Sequence, residues 1–475
     1  MIRYPLCMLS LVVAACLSCG NVRAGDGDLD PRFGPNGDGR LTIGIDTGAE
    51  DIAVQAVPAL DGSIYVVGRT SPGIGIVRLT ADGLPDPQFA PMSYPSDTSE
   101  YWLGASAAVQ AANGDLIVAG HYFGLPQMDG PYWIACRFDA AGVPVGAFGD
   151  GEIAPGCTDK FGAGVRKEGE IRDLLIHPAG RIVFAGHIVD GADKRRAALS
   201  SLTPDGDPDP TFDDGVGEAN LVLPHGNVVP ESEYNALALG PNGTLLGAGE
   251  YIVSPDDSDV LVTMHFQNGT AFQQFGANGS AIHALNLGPV GARRDTALGI
   301  EPMAGGMFGV VGTAQFSLAG HTGGFVLWIK PNGSLETSLG NNGRTVLQED
   351  GLDLRLYDIE RTPKGKVVIG GSLMPVDAPD VTLATVLRLD QAGDADPTFA
   401  AASLAVFAFS DDATPDEFDD ETIHPSEIFD LAMQGNRILA AGYQLLPPEA
   451  GGADFGLARL GDGRLFGDGL ESFGP

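Results

Sequence analysis

The sequence has few basic residues for its length. Among its 475 residues, Lys and Arg number 27 and Asp and Glu number 62, so the formal net charge is −35 at pH 7. A chain this acidic is repelled by nucleic acid and by anionic membrane surfaces, because both carry dense negative charge. We therefore expect neither as a partner. The charge is also expected to keep the protein soluble and monomeric.

Long apolar runs are missing too, apart from a short one at the N-terminus. Leu6–Leu17 is too short to span a membrane, and Val22–Ala24 follows it as a small-residue cleavage site. This pattern predicts a signal peptide over residues 1–24. The alternative is a bacterial lipobox at Val13–Cys16, which would attach lipid to Cys16 and make an outer-membrane lipoprotein. Both interpretations place the mature protein outside the cytoplasm, secreted or periplasmic.

Cysteine is scarce. The chain has five cysteines, and three of them lie within residues 1–24. Cys136 and Cys157 remain in the mature protein. In an oxidising compartment these two thiols could form a disulfide. Two buried, unpaired cysteines agree equally well with the sequence.

The strings that mark common enzyme classes are absent. There is no P-loop, no His-Glu-x-x-His, no Gly-x-Ser-x-Gly, and no Gly-x-Gly-x-x-Gly after a strand. No Cys/His spacing fits a zinc site. The sequence therefore indicates no defined reaction.

What the sequence does contain is one pattern repeated seven times. Each copy has a turn glycine, five mostly apolar residues and a second glycine, and the copies recur about every sixty residues. Short strands at such a period predict a ring or stack of β-sheet modules. The pairs, with Asn replacing the first glycine in the last copy, are Gly62/Gly68, Gly114/Gly120, Gly180/Gly186, Gly243/Gly249, Gly306/Gly312, Gly365/Gly371 and Asn436/Gly442.

Each copy predicts a small antiparallel sheet. In the third copy, Ile171–Ile176, Arg181–Gly186 and Ala197–Leu202 form three strands, and a fourth follows. The strands are apolar on both faces, which suits sheets packed on both sides. We predict an all-β fold, a seven-bladed β-propeller of four-stranded antiparallel blades over residues 25–463, with a tail over 464–475. A β-solenoid is the alternative.

The ends of the repeat array predict how the ring closes. No full fourth strand follows Phe455–Leu460 in the last copy, whereas Leu41–Ile45 precedes the first three-stranded set. The N-terminal strand can therefore complete the last blade. This arrangement removes an exposed sheet edge.

Short strings shared by the copies carry a family resemblance. They are Leu29–Gly34, Pro85–Phe89, Asp207–Phe212, Asp396–Phe399, Ile117–His121 and Leu439–Tyr443. In these strings the chain resembles the delta-60 repeat family of secreted bacterial proteins. The resemblance covers nearly the whole mature chain and implies a propeller-like fold without a defined reaction. Two copies depart from the Asp-Pro-x-Phe string, at Phe272–Phe275 and Leu335–Leu339. The string therefore does not predict the turns of these two copies.

The residue directly after the second glycine of each pair is the best candidate for binding. In the seven copies it is Arg69, His121, His187, Glu250, Thr313, Ser372 and Tyr443. Equivalent positions lie at one end of a ring, so we predict a ligand site that includes Arg69, His121, His187, Glu250 and Tyr443. If His121, His187 and Glu250 converge, they could bind a transition metal. The alternative is that adjacent blades hold them too far apart to share an ion.

Two further features concern the loops and the third strands. The loops before the first strand of each copy vary most in length and charge, which predicts that a ligand binds at their end. One of them, Ser410–Glu427, carries eight carboxylates, which either bind Ca²⁺ or form a solvated acidic loop. One position of the third strand is an arginine in four copies: Arg78, Arg137, Arg388 and Arg459. A charge repeated in this way predicts pairing between blades.

Together these features predict a secreted binding or surface-interaction module. Its partner would be a protein, a glycan or a small molecule on the long-loop face. The alternative is an extracytoplasmic hydrolase or lyase at the channel mouth, with or without a divalent cation. The fold does not separate the two.

Overall fold

The structure is a computed structural model. It describes residues 26–45, 50–71, 73–95, 100–125, 127–162, 164–212, 221–222, 230–378, 381–400, 403–410, 425–446 and 451–462. The predicted signal peptide (1–24), Cys16 and the tail (464–475) lie outside these ranges. In the described part of the chain, the only helical elements are two 3₁₀ turns, Pro241–Gly243 and Ala304–Gly306. No helix there is long and apolar enough to cross a membrane.

The strands follow the repeats of the sequence. They are β1 Arg40–Ile43; β2 Ile52–Pro58, β3 Ile64–Arg69, β4 Ile74–Leu79, β5 Met92–Tyr94; β6 Tyr101–Gln110, β7 Leu116–Gly124, β8 Asp129–Phe138, β9 Cys157–Thr158; β10 Gly169–Ile176, β11 Ile182–Val189, β12 Arg195–Leu202, β13 Leu221–Val222; β14 Ser232–Leu239, β15 Leu245–Ser254, β16 Asp257–His265, β17 Ser280–His283; β18 Arg293–Pro302, β19 Phe308–Gln315, β20 Thr322–Ile329, β21 Arg344–Leu347; β22 Leu352–Arg361, β23 Val367–Pro375, β24 Leu383–Leu389, β25 Leu404–Phe407; β26 Ser426–Met433, β27 Arg437–Leu445 and β28 Ala453–Gly461.

These strands form antiparallel sheets in chain order. Five sheets have four strands each, and the remaining one joins β14–β17 to β18–β21. That junction is a short parallel pairing of Asp257 and Ser258 with Arg293 and Arg294. We number the repeats 1 to 7 by their first strands, which are β2, β6, β10, β14, β18, β22 and β26. The all-β fold and the repeated antiparallel sheet agree with the prediction.

The two glycines of the sequence pattern have different roles. The first, such as Gly114 with φ 93°, occupies a tight turn in a conformation that L side chains rarely adopt. At the second, such as Gly120 or Gly186, a Cβ would overlap the carbonyl oxygen of the residue that precedes its partner on the first strand, Gly104 or Glu170. The second glycine therefore lets the first strand approach closely.

The first strands line a common cavity. It has a volume of about 530 Å³, and residues from β2, β6, β10, β14, β18, β22 and β26 surround it. Each first strand contacts the next, and β26 contacts β2. Each also carries a β-bulge, which leaves one extra residue that lines this cavity. The extra residues are Val54, Ser106, Arg172, Asn235, Leu298, Tyr357 and Phe429.

The apolar core lies between successive repeats. Seven clusters of buried side chains fill these spaces in the described residues, and one of them joins repeat 7 to repeat 1 through Val66, Leu439 and Phe455. The predicted N-terminal strand is present at this junction. β1 pairs with β28 from Arg40 opposite Ala458 to Ile43 opposite Phe455.

The recurring arginines of the third strands also link repeats, as predicted. Arg137 donates to the carbonyl of Pro204 in repeat 3, and Arg459 to that of Ala81 in repeat 1. Arg78 likewise reaches the carbonyl of Ala140, whereas Arg388 donates to the side-chain carboxylate of Asp462.

The two mature cysteines lie opposite one another on neighbouring strands. Cys136 on β8 pairs in register with Cys157 on β9. Their sulfur atoms are bonded as a disulfide. Of the two alternatives left open by the sequence, the structure has the disulfide.

Candidate functional site

The predicted site residues lie at one end of the cavity, the end of the long loops. Each pairs in register with a residue at the start of a first strand, and we call this double set the mouth. The pairs are Arg69 with Ile52, His121 with Gly104, His187 with Glu170, Glu250 with Glu233, Thr313 with Thr296, Ser372 with Arg355 and Tyr443 with Glu427.

Two histidines of the mouth are buried and electrically neutral. Burial lowers the pKa of His121 and that of His187 to about 4. The charge of Glu170 opposes this shift for both rings, whereas that of Arg172 adds to it. The charges of Arg69 and His187 also lower the pKa of His121, so both side chains lie within electrostatic range of His121. At neutral pH both rings are therefore uncharged.

Several buried polar atoms of the mouth have no hydrogen-bond partner in the protein. They belong to five of the seven predicted positions: Arg69 Nε, His121 Nδ1, His187 Nδ1, Glu250 Oε1 and Thr313 Oγ1. The exposed fractions of His121, His187 and Glu250 are only 7%, 6% and 4%. Buried polar groups are normally satisfied by protein or water, so a concentration of unsatisfied atoms at equivalent positions indicates a place where a ligand or water binds.

Four arginines project over the carboxylates of the mouth. Each arginine side chain is between 38% and 48% exposed, whereas the side chains of Glu233, Glu250 and Glu427 are at most 11% exposed. The N–O distances are 3.0 Å for Arg172–Glu170, 2.7 Å for Arg195–Glu233, 3.6 Å for Arg294–Glu250 and 4.0 Å for Arg355–Glu427. We call these four residues the arginine rim.

Two aromatic clusters accompany the arginine rim. Trp102 packs against His121 and Phe123, with ring centroids 5.8 and 5.7 Å away. Phe429 packs against Tyr357 and Tyr443 at 5.1 and 5.7 Å. Apart from the buried His121 ring, the aromatic rings of both clusters are only partly buried.

Only part of the predicted acidic loop is described. Of Ser410–Glu427, the structure describes Ser410 and residues 425–427, and the other carboxylates lie outside the described residues. Glu427 belongs to the mouth. It accepts a hydrogen bond from Ser372 Oγ at 2.9 Å, and the Tyr357 and Tyr443 hydroxyls lie 3.4 Å from its oxygens.

The three predicted metal ligands are not gathered at one point. In the described ranges, the one group of three acidic, His or Cys residues with ligand atoms within 4.8 Å is Asp150, Glu152 and Asp159. The ammonium of Lys160 lies 2.8 to 3.6 Å from these carboxylates and so takes the place of a cation. His121, His187 and Glu250 do not form such a group. Metal binding by these three stays a prediction, which a zinc titration followed by calorimetry tests.

Carboxylates line the interior of the cavity beyond the mouth. Asp173, Asp358 and Asp430 each accept a hydrogen bond from a backbone N–H of the following repeat, at 2.6, 2.8 and 2.9 Å. Burial raises the pKa of Asp173 to about 7 and that of Asp358 to about 6. Glu301 and Glu360 lie at the end opposite the mouth, the far end, and burial raises their pKa as well. The cavity thus has an arginine-rich end and an acidic end.

The inner half of this site was not predicted from the sequence. Arg172, Tyr357 and Phe429 face the cavity because they are the extra residues of β-bulges, and a bulge re-aims a side chain. Aligning the seven first strands on their second-strand glycines would have placed these residues at one equivalent position. That alignment is the signal that could have found them.

Comparison with known proteins supports the type of fold. The model "Domain of unknown function (DUF5122) beta-propeller" matches residues 60–89 and 177–212. These segments cover parts of repeats 1 and 3. The chain therefore contains propeller-like repeats. No curated protein matches the chain significantly.

Solved structures with a related arrangement are distant. A protein of unknown function from Dyadobacter fermentans is 13% identical, with a TM-score of 0.45, over 89% of this chain and 98% of that one. The polysaccharide lyase Uly1 is 8% identical, with a TM-score of 0.42, over 89% and 99%. A glucose dehydrogenase is 11% identical, with a TM-score of 0.37, over 76% and 96%. Similarity this low carries no information on what the present chain binds.

Proposed function

We propose that the chain is a seven-bladed β-propeller of the delta-60 type, closed by β1 and exported by the segment 1–24. Closure is supported by the pairing of β1 with β28 and by the apolar cluster between repeats 7 and 1. It is also supported by the hydrogen bond from the Ala56 N–H to Asp430, which has the same form as those within the chain. In this proposal each repeat is one blade and the cavity is the central channel.

The proposed function is capture of a ligand at the mouth, outside the cytoplasm. One observation carries it: unsatisfied buried polar atoms recur at equivalent positions around one end of a cavity of about 530 Å³. Pockets that bind ligands combine enclosed volume with a few convergent polar groups. The partly exposed arginine rim and aromatic clusters supply further contacts at the same end.

A lyase or hydrolase is the second candidate. The observation that favours it is two neutral imidazoles within electrostatic range of Arg172, with Arg69 also in range of His121. A general base works best when its pKa lies near the working pH, and a pKa of about 4 makes His121 and His187 weak proton acceptors. Binding is therefore the function that this arrangement supports best.

The proposal can be tested by a binding screen with matched variants. The protein would be applied to arrays of glycans, peptides and metabolites, together with Tyr357→Ala/Phe429→Ala at the mouth and Leu60→Ala as a control. Leu60 is 73% exposed and lies outside the cavity lining. We expect the mouth variant to lose the captured ligand and the control to keep it.

Two results would contradict the proposal. One is a ligand that binds the mouth variant and the wild type equally well. The other is turnover of a captured ligand, which favours the enzyme. Each variant must first show the wild-type thermal transition, so that a loss of binding is not a loss of fold.

A further inference from the structure

The arginine rim is a local exception to the charge of the chain. Lys and Arg number only 27 of 475 residues, yet Arg172, Arg195, Arg294 and Arg355 gather at the mouth, with Arg69 close by. Four of these five arginines lie against a glutamate, which is Glu170, Glu233, Glu250 or Glu427. Glu231 also lies 3.9 Å from Arg195, and Glu50 and Asp353 act on Arg69 and Arg355. The mouth is therefore not free of negative charge, but an anion that reaches it meets several partly exposed arginine side chains.

The glutamates orient the guanidinium groups but occupy only some of their N–H donors. A guanidinium has five N–H donors, and a glutamate below it occupies one or two. Glu233 is 9% exposed, whereas the Arg195 side chain is 38% exposed, so Arg195 is the member of this pair that reaches solvent. Arg294 has the same relation to Glu250, and Arg172 is 39% exposed beside Glu170, which is 23% exposed. A planar, fixed donor set of this kind suits carboxylate and sulfate groups.

The aromatic side chains indicate what carries the anion. Trp102 and Phe123 lie beside His121, and Tyr357 and Phe429 line the cavity next to the rim. Partly exposed rings present flat apolar faces with a polar edge, which suits amphipathic ligands such as pyranose rings. Arginines flanked by such rings match a chain of sugars bearing acidic groups.

The far end limits how deep such a ligand reaches. Glu301 and Glu360 lie there, and Asp173, Asp358 and Asp430 lie between them and the mouth. These buried carboxyl groups offer an anion no positive charge, so an acidic ligand would stop at the mouth and not pass along the cavity.

We infer that the mouth binds an acidic saccharide, with its carboxylate or sulfate groups on the arginine rim and its sugar rings on the aromatic clusters. This inference rests on the proposed function of ligand capture at the mouth. It goes further by naming the chemical class of the ligand.

Calorimetry on the full mature chain tests the inference. The probes would be tetragalacturonate, a chondroitin sulfate tetrasaccharide, uncharged cellotetraose and inorganic sulfate. We expect at least one acidic tetrasaccharide to bind, with cellotetraose and inorganic sulfate at least about tenfold weaker, since a charge-assisted contact is worth more than a neutral one. Carboxylate and sulfate recognition are distinguished by which acidic probe binds more tightly.

Matched arginine variants assign the site. Arg172→Gln/Arg195→Gln should weaken binding of the acidic probe about tenfold or more. Arg172→Lys/Arg195→Lys should recover only part of the loss, because lysine lacks the planar fork. The control is Arg361→Gln, which removes an exposed guanidinium near Glu301 and Glu360 at the far end. Its affinity should match that of the wild type.

The outcomes separate the inference from the proposed function. Equal binding of cellotetraose and the acidic probes, lost in Tyr357→Ala/Phe429→Ala, overturns the acidic class and keeps the mouth as a binding site. Binding of an acidic probe that is unchanged in both arginine double variants also overturns the inference. If none of the saccharides binds, the inference fails, and the array screen then decides whether the mouth captures another ligand.

Discussion

Replacement of Asp430 probes the junction between the last and the first repeat. Its carboxylate accepts a hydrogen bond of 2.9 Å from the Ala56 N–H, across 374 residues of sequence. Asp430 and Ala56 are only 8% and 3% exposed. In Asp430→Ala the Ala56 N–H has no acceptor from this side chain. A buried donor left unsatisfied costs about 1–3 kcal/mol of the free energy of unfolding.

An opposing effect has to be separated from this cost. Burial and the nearby charge of Asp358 raise the pKa of Asp430, so its charged form is disfavoured in the folded protein. Asp430→Asn keeps an oxygen that can accept from Ala56 and removes that charge. At pH 8 we expect Asp430→Asn to be at least as stable as the wild type. We expect Asp430→Ala to be less stable than Asp430→Asn by about 1–3 kcal/mol.

Equilibrium unfolding in urea at pH 5 and pH 8 measures these differences. Asp173→Ala is the matched control, because Asp173 Oδ2 makes the equivalent contact with the Leu237 N–H inside the chain. If the junction is as well packed as an internal interface, Asp430→Ala and Asp173→Ala should cost similar amounts at pH 5. Wild-type stability of Asp430→Ala at both pH values, together with a loss in Asp173→Ala, would refute closure through this contact.

The remaining predictions concern pH, the disulfide and the N-terminal strand. The pKa of Asp173 is raised to about 7 and that of Glu301 to about 8. The stability that these two groups contribute is therefore full below about pH 4 and is lost as the pH rises towards 8. Urea midpoints should fall between pH 5 and pH 8, and a rise would contradict the assignment. Mass spectrometry of periplasmic protein should find Cys136 linked to Cys157, and two free thiols would show that the bond does not form there. Deletion of residues 25–46 should lower the melting temperature by removing the partner of β28, and an unchanged temperature would show that β1 adds nothing.

The repeat was predictable because its signals are local. A turn glycine, an apolar run and a second glycine are readable within a few residues, and their recurrence was enough to predict the all-β sheets. The pairing of Leu41–Ile45 with the last copy followed from counting strands. The structure places that pairing at Arg40–Ile43, one residue earlier at its start.

The chemistry of the mouth was only half predictable, for a physical reason. His121, His187 and Glu250 directly follow a glycine of the pattern, so their equivalence is visible in the sequence. Arg172 faces the cavity because β10 slips by one residue against β11, and this slip arises only when the two strands pair. Contacts such as Arg195 with Glu233 join different repeats, and no local pattern encodes them.

The contacts between repeats have the same form wherever they occur. Asp430 accepts from Ala56 as Asp173 accepts from Leu237, and Arg459 donates to Ala81 as Arg137 donates to Pro204. These interfaces therefore do not depend on where the chain begins. A circular permutant that starts in another long loop, with the present ends joined by a linker, would keep every one of these contacts. Only the pairing of β1 with β28 would change, from a link between the two ends to an ordinary hairpin within the chain.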